Sequence, residues 1–167
     1  PQTTTAQYMQ VIRKKTAVLF AAAAQGAALL AGADAATQLA LRTFGLNLGI
    51  AFQLIDDVLD YSGDPELMGK NVGDDLAEGK PTLPLIYAMA NSPEDDAQHI
   101  RQAILSRDKS AIQQVLGAVQ RCGALDFARS VAIEHRKLAI AALSCIPENE
   151  FRHNLLTITD LAVDRRA

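Results

Sequence analysis

The chain has 167 residues, about half of them apolar, a formal net charge of −3 and two cysteines. That length suits one core, in a single domain or in part of a larger one. Acids and bases are interspersed, which leaves no basic field for a nucleic-acid backbone, and Cys122 and Cys145 are too few for a disulfide framework and lack metal-ligand spacing.

From Pro1 to Gln7 the chain is polar and Thr-rich, with no cleavable signal pattern, and it reads as the start of a fragment or a processed product. Apolar residues then recur at helical spacing almost throughout and alternating Val/Ile/Thr runs are missing, so the predicted fold is all-α. A first helix is predicted from Thr5 to Gly32, where the glycine supplies a stop. Its stretch from Ala17 to Ala33 is alanine-rich and broken by Gln25, Gly26 and Gly32, which reads as a buried helix and not a transmembrane segment. Asp34 caps a second helix reaching to about Tyr61. Between Ser62 and Lys80, Gly63, Asp64, Pro65, Gly69, Gly73 and Gly79 among acids predict a loop. Helicity is expected to restart at Pro81, with Pro84 in the first turn. Shorter helices follow: Ser92-Pro93 toward Leu105, Lys109 to Arg121 ended by Gly123, Leu125 to Leu143, and a last one from Pro147 to near Arg165.

The second helix carries Phe52-Gln53-Leu54-Ile55-Asp56-Asp57-Val58-Leu59-Asp60 where a core stripe is expected. At about 100° per residue, Asp56 and Asp60 stack one turn apart with Gln53 and Phe52 on the same side and Asp57 on the flank. Leu54, Ile55 and Val58 point away into packing. Like charges four residues apart destabilise a helix, so this face is either solvated or asks for a counter-ion. Magnesium suits it, because it takes hard oxygen ligands and commonly joins one or two carboxylates to substrate phosphates. Gly45 and Gly49 continue the face and imply close approach of a substrate or of another helix.

A magnesium-diphosphate site needs further cations to stabilise charge building on a leaving group. Arg13-Lys14-Lys15-Thr16 supplies a cation and a hydroxyl on the first helix, Lys70 lies in Gly69-Lys70-Asn71, and Lys80 is expected at the amino terminus of the helix from Pro81, a favourable phosphate position. Asp74, Asp75 and Glu78 either hold metal-bound water or solubilise the loop. The loop lacks the nucleotide P-loop pattern. His99, His135 and His153 have no acidic partner at ligand spacing and read as surface or satisfied histidines.

Three blocks together resemble the trans-prenyl (polyprenyl) diphosphate synthases, in detail the bacterial octaprenyl type: Tyr8-Met9-Gln10-Val11-Ile12 leading to Lys15-Thr16-Ala17; Phe52 to Asp60; and Gly69 to Pro84. The resemblance covers essentially the whole chain. It implies an isoprenoid synthase-type helical bundle around an apolar tunnel, of which residues 1–167 form the carboxyl-terminal part of one domain, the upstream half with its own aspartate-rich motif being missing. It assigns Asp56, Asp60 and Asp57 to Mg2+, Lys15, Lys70 and Lys80 to the allylic diphosphate, and Thr16 and Gln53 to positioning the reacting groups. The implied reaction joins isopentenyl diphosphate to an allylic prenyl diphosphate, giving a long-chain polyprenyl diphosphate of the quinone side-chain kind. A cytoplasmic homodimer is implied for the full protein, with this piece inactive alone. Two other readings stand beside it: a non-catalytic helical partner of a complete synthase, against which the intact acids and lysines argue, and a terpene cyclase, against which the Gly79 to Pro84 block argues.

Overall fold

The computed structural model describes residues 2–62 and 72–165; Lys70 lies outside them. The described residues form helices and turns with no strand. In chain order these are α1 (Thr5–Ile12), a π-helical segment (Arg13–Ala17), α2 (Val18–Leu30), α3 (Ala35–Ser62), α4 (Asp74–Ala77), α5 (Leu83–Asn91), α6 (Glu94–Ser106), α7 (Ile112–Arg121), α8 (Ala124–Ala142) and α9 (Glu150–Val163). Short 3₁₀ turns sit at Lys109–Ala111 and Leu143–Cys145. None of the described helices is long and apolar enough to cross a membrane.

The described residues divide into two compact units, residues 2–9 with 56–62 and 72–130, and residues 10–55 with 131–165. In the first, Leu76 of α4, Leu85 of α5, Ile100 and Ile104 of α6, and Val115 and Val119 of α7 close a core on Tyr61. In the second, Phe44 and Leu48 of α3 pack with Ala139, Leu143 and Ala162, flanked by Phe20 and Phe52.

Local chemistry explains most boundaries. Gly32 and Ala33 return their N–H groups to the carbonyls of Leu29 and Ala28, ending α2 at the expected glycine. Asp34 accepts the Thr37 N–H at 2.8 Å, capping α3 as expected, and that bond holds its carboxyl below the usual range. Two starts differ from expectation. The helix predicted from Pro81 begins at Leu83, because the Thr82 N–H bonds back to the Lys80 carbonyl at 3.0 Å in a tight turn around the proline. The helix predicted from Pro147 begins at Glu150, where Asn149 accepts the Arg152 N–H at 2.9 Å. The predicted 62–80 loop holds the single turn of α4, and the predicted first helix is interrupted by the π segment.

Gly45 and Gly49 serve helix packing. A Cβ on Gly45 would lie 2.4 Å from the Phe20 carbonyl oxygen, and one on Gly49 would lie 2.7 Å from the Ala17 Cα. Both obstacles are backbone, so neither gives way cheaply. Gly26 in α2 has nothing within 4 Å of the same position. Gly45→Ala should therefore lower stability by about 1–3 kcal/mol through overpacking, outweighing its gain in helix propensity. Gly26→Ala should raise stability by up to about 1 kcal/mol. Urea midpoints that shift equally for the two variants would contradict this packing.

His135 is satisfied, as its sequence context predicts. Asn47 donates its amide to the Thr43 carbonyl at 2.9 Å, so its oxygen faces His135 Nδ1 at 2.8 Å and the ring carries its proton there. Burial lowers the pKa of this histidine below the ordinary 6.5. The unfolded chain then takes up the proton first, and stability contributed by neutral His135 falls as pH drops below about 6.5. The His135 ring resonance, identified by its loss in His135→Gln, should titrate with a midpoint under 6.5 in a proton–carbon NMR series; a midpoint above it contradicts the burial.

Candidate functional site

The acidic segment occupies the last two turns of α3. Leu54, Ile55 and Val58 are 0–1% exposed, so the apolar side of this stretch is in the core as predicted. Asp56 and Asp60 are half-buried, whereas Asp57 is only 3% exposed. A carboxylate in such surroundings requires donors. Asp57 receives the hydroxyl of Tyr8, from α1, at 2.5 Å. Burial, followed by the nearby Asp57 charge, pushes the Tyr8 phenol far above its ordinary range, so Tyr8 is the donor at any physiological pH.

Asp60 is held differently. Its two carboxylate oxygens accept the backbone N–H groups of Asp74 and Asp75 at 3.2 and 3.1 Å, while its own carbonyl accepts the Gly73 N–H at 2.9 Å. It thus sits on the amino terminus of α4. Burial, with the Asp75 charge next, raises its pKa to about 6 although those N–H groups pull it down.

Lys80 closes the other end of α4. Gly79, at φ +72°, sends its N–H to the Leu76 carbonyl and Lys80 sends its own to the Asp75 carbonyl, both at 2.9 Å, which is a Schellman ending. The side chain follows the backbone: Nζ lies 2.9 Å from Asp75 and 2.6 Å from Glu78. The Glu78 contact leads in raising the lysine pKa well above its usual value. Lys80 therefore belongs to the carboxyl end of α4, correcting its predicted place at the start of the next helix. Lys109 pairs with Asp74 at 2.7 Å.

In the second unit, Lys15 and Thr16 ride on the π segment, a single wide turn of the kind frequent at functional sites. Lys15 is exposed. Thr16, half-buried, donates its hydroxyl to Gln53 Oε1 of α3 at 2.9 Å. Phe52 stacks its ring under the Arg165 guanidinium, 4.2 Å from the ring centroid.

The structure therefore joins Thr16 to Gln53, ties Lys80 to Asp75 and Glu78, and turns Asp57 and Asp60 toward different partners. Among the described residues no three of His, Cys, Asp and Glu are grouped to hold a metal ion. The donor chemistry still fits a hard divalent cation bound through one or two carboxylates and completed by phosphate oxygens and water, and Asp56 and Asp60 are the two of the three that are half-buried and not fully enclosed. Sequence reasoning did not single out Tyr8 as a site residue, because its partner lies 49 positions away and no local pattern marks it. Nor does the run Arg13-Lys14-Lys15-Thr16 carry any signal of a π turn.

The polyprenyl synthetase family model matches residues 1–121. Octaprenyl diphosphate synthases of Haemophilus influenzae and Escherichia coli are 48% and 47% identical over 99% of this chain, which covers 50% and 51% of theirs. Two solved structures superpose over 99% of the chain. A polyprenyl synthase from Caulobacter crescentus CB15, complexed with calcium and isoprenyl diphosphate, gives a TM-score of 0.93 at 44% identity with 51% of its chain covered. A decaprenyl diphosphate synthase from Rhodobacter capsulatus gives 0.90 at 36% with 52% covered. The chain spans about half the length of the curated relatives it matches. With the acidic turns of α3, the π segment and α4 all inside the matched region, the chain belongs to the polyprenyl synthetase family.

Proposed function

We propose that the whole protein containing this chain is a trans-prenyltransferase, which adds isopentenyl diphosphate to an allylic prenyl diphosphate and releases diphosphate to make a long-chain polyprenyl diphosphate. The observation that carries this reading is α3 itself: three carboxylates within two turns of a helix whose opposite side is fully buried. The names of the similar proteins, octaprenyl diphosphate synthases among them, support the substrate class. The isolated chain, lacking the remaining half of those relatives, is proposed to be inactive.

Mg2+ is the proposed cation, and when bound it supplies positive charge to the departing diphosphate. Asp56 and Asp60 would hold it, with Asp57 supporting them. A divalent cation is consistent with the calcium and isoprenyl diphosphate of the Caulobacter neighbour. Lys15, Lys70 and Lys80 are assigned to the allylic diphosphate. For Lys80 this means exchanging the carboxylates of Asp75 and Glu78 for phosphate oxygens, a swap between like-charged partners. Thr16 and Gln53, already hydrogen-bonded, position the reacting groups. Apolar surroundings keep water from the allylic cation, so that the isopentenyl double bond attacks it and a proton then leaves, to the released diphosphate. A cytoplasmic homodimer completes the proposal, the compartment supported by the two free cysteines and the dimer by the family resemblance.

Joined to the upstream half of the Escherichia coli octaprenyl relative, the chain should incorporate labelled isopentenyl diphosphate only when Mg2+ is present. No incorporation by the folded fusion would remove the synthase reading. Asp56→Ala in that fusion should cut kcat by at least about 100-fold, the scale for losing a group that stabilises developing charge; rates equal to the unsubstituted fusion would remove its metal-holding role.

A further inference from the structure

Tyr8 and Asp57 are 5% and 3% exposed, and the hydroxyl-to-carboxylate distance is 2.5 Å. Phenylalanine would fill the same apolar space, so the only thing the phenol adds at this position is its O–H. A buried hydroxyl needs an acceptor and a buried carboxylate needs donors, and here the phenol supplies one of them. A bond from O–H to an ionised oxygen is short, strong and directional. It therefore restricts the rotation of Asp57 far more than packing against leucine or valine would.

Asp57 sits between Asp56 and Asp60 in the motif, on the same rigid helical turns. Loss of that restraint would let Asp57 sample more orientations and so weaken the set of oxygens offered to a cation. We infer that Tyr8 is a positioning residue for the acidic motif: its hydroxyl holds Asp57 in place, so that the motif presents a fixed set of oxygens to a divalent cation. The inference rests on the proposed cation-diphosphate site, which it deepens by adding a residue of α1.

The test is Mn2+ binding to the full 167-residue chain in the presence of inorganic diphosphate, with free Mn2+ followed by electron paramagnetic resonance and the fold by circular dichroism and urea midpoint. Tyr8→Phe should weaken Mn2+ binding by about tenfold, the lower end of the effect of removing a residue that orients a metal ligand. In an Asp57→Leu background the same Tyr8→Phe change should have no further effect on Mn2+ affinity. A lowered urea midpoint with Mn2+ affinity unchanged means Tyr8 is only structural and overturns the inference. So does a tenfold loss that persists with Asp57→Leu. Should Tyr8→Phe fail to fold, the pair Tyr8→Phe and Asp57→Leu, which removes the charge together with its donor, takes its place, and unaltered Mn2+ affinity in that folded pair overturns the inference. Absence of Mn2+ binding by the unsubstituted chain brings down the cation site and this inference together, whereas binding that Tyr8→Phe leaves intact brings down the inference alone.

Discussion

A carboxylate taken out of water must be given donors, and α3 imposes that demand twice within four residues. Asp57 takes a phenol hydroxyl and Asp60 takes two backbone N–H groups. The second solution shapes the segment that follows α3. Four residues make too short a helix to persist alone, since nucleating a first turn is unfavourable. Here the exposed N–H groups of α4 are met by Asp60 at one end, and the carbonyls of Asp75 and Leu76 are met by Lys80 and Gly79 at the other. Hydrogen bonds to a charged group contribute about 1.5–3 kcal/mol each, against roughly 0–1 for exposed ion pairs. The Lys80 contacts belong to the exposed class, with the lysine side chain 42% accessible. Asp60 is therefore the stronger anchor of this turn, and Lys80 a lighter clasp on its far end.

Backbone proximity does the corresponding work in the second unit. Gly45 and Gly49 remove the side chains that would keep α3 from Phe20 and Ala17. That approach brings Gln53, one turn beyond Gly49, within hydrogen-bond distance of Thr16. The π segment contributes from the other side. An extra residue in one turn rotates everything after it by about 100° relative to an uninterrupted α-helix, so the side chains of Lys15 and Thr16 are set by a register that α-helical spacing alone does not describe.

Legibility followed the range of the interactions. Helical periodicity, Gly32 as a stop and Asp34 as a cap are local signals, and they placed the end of α2 and both ends of α3 to within a residue or two. The burial of Leu54, Ile55 and Val58 was equally readable from spacing. Pro81 misled because proline tolerates the first turn of a helix without requiring one, and here it sits in a tight turn two residues earlier. Lys80 was misplaced with it. Its observed position follows from Gly79 adopting a left-handed conformation, which joins the lysine to the preceding turn. Tyr8 and the π segment were unreadable for another reason: the first depends on a partner 49 residues away, and the second on tertiary packing that no residue preference records.

The charge pattern around α4 constrains how an anion could be recognised there. Lys80 already faces Asp75 and Glu78, Lys109 already faces Asp74, and Asp60 adds a further carboxyl with a pKa near 6. A diphosphate arriving alone would meet at least as many acids as bases, and releasing Lys80 to it would take that cation from Asp75 and Glu78. A diphosphate arriving with a divalent cation would meet a different balance, because the cation would supply positive charge to the acids that Lys80 now faces. Under the proposed function, the acids that would repel a free anion would favour its metal complex. Under that proposal the carboxylates and the lysine would work as one exchange system, taking up cation and anion together.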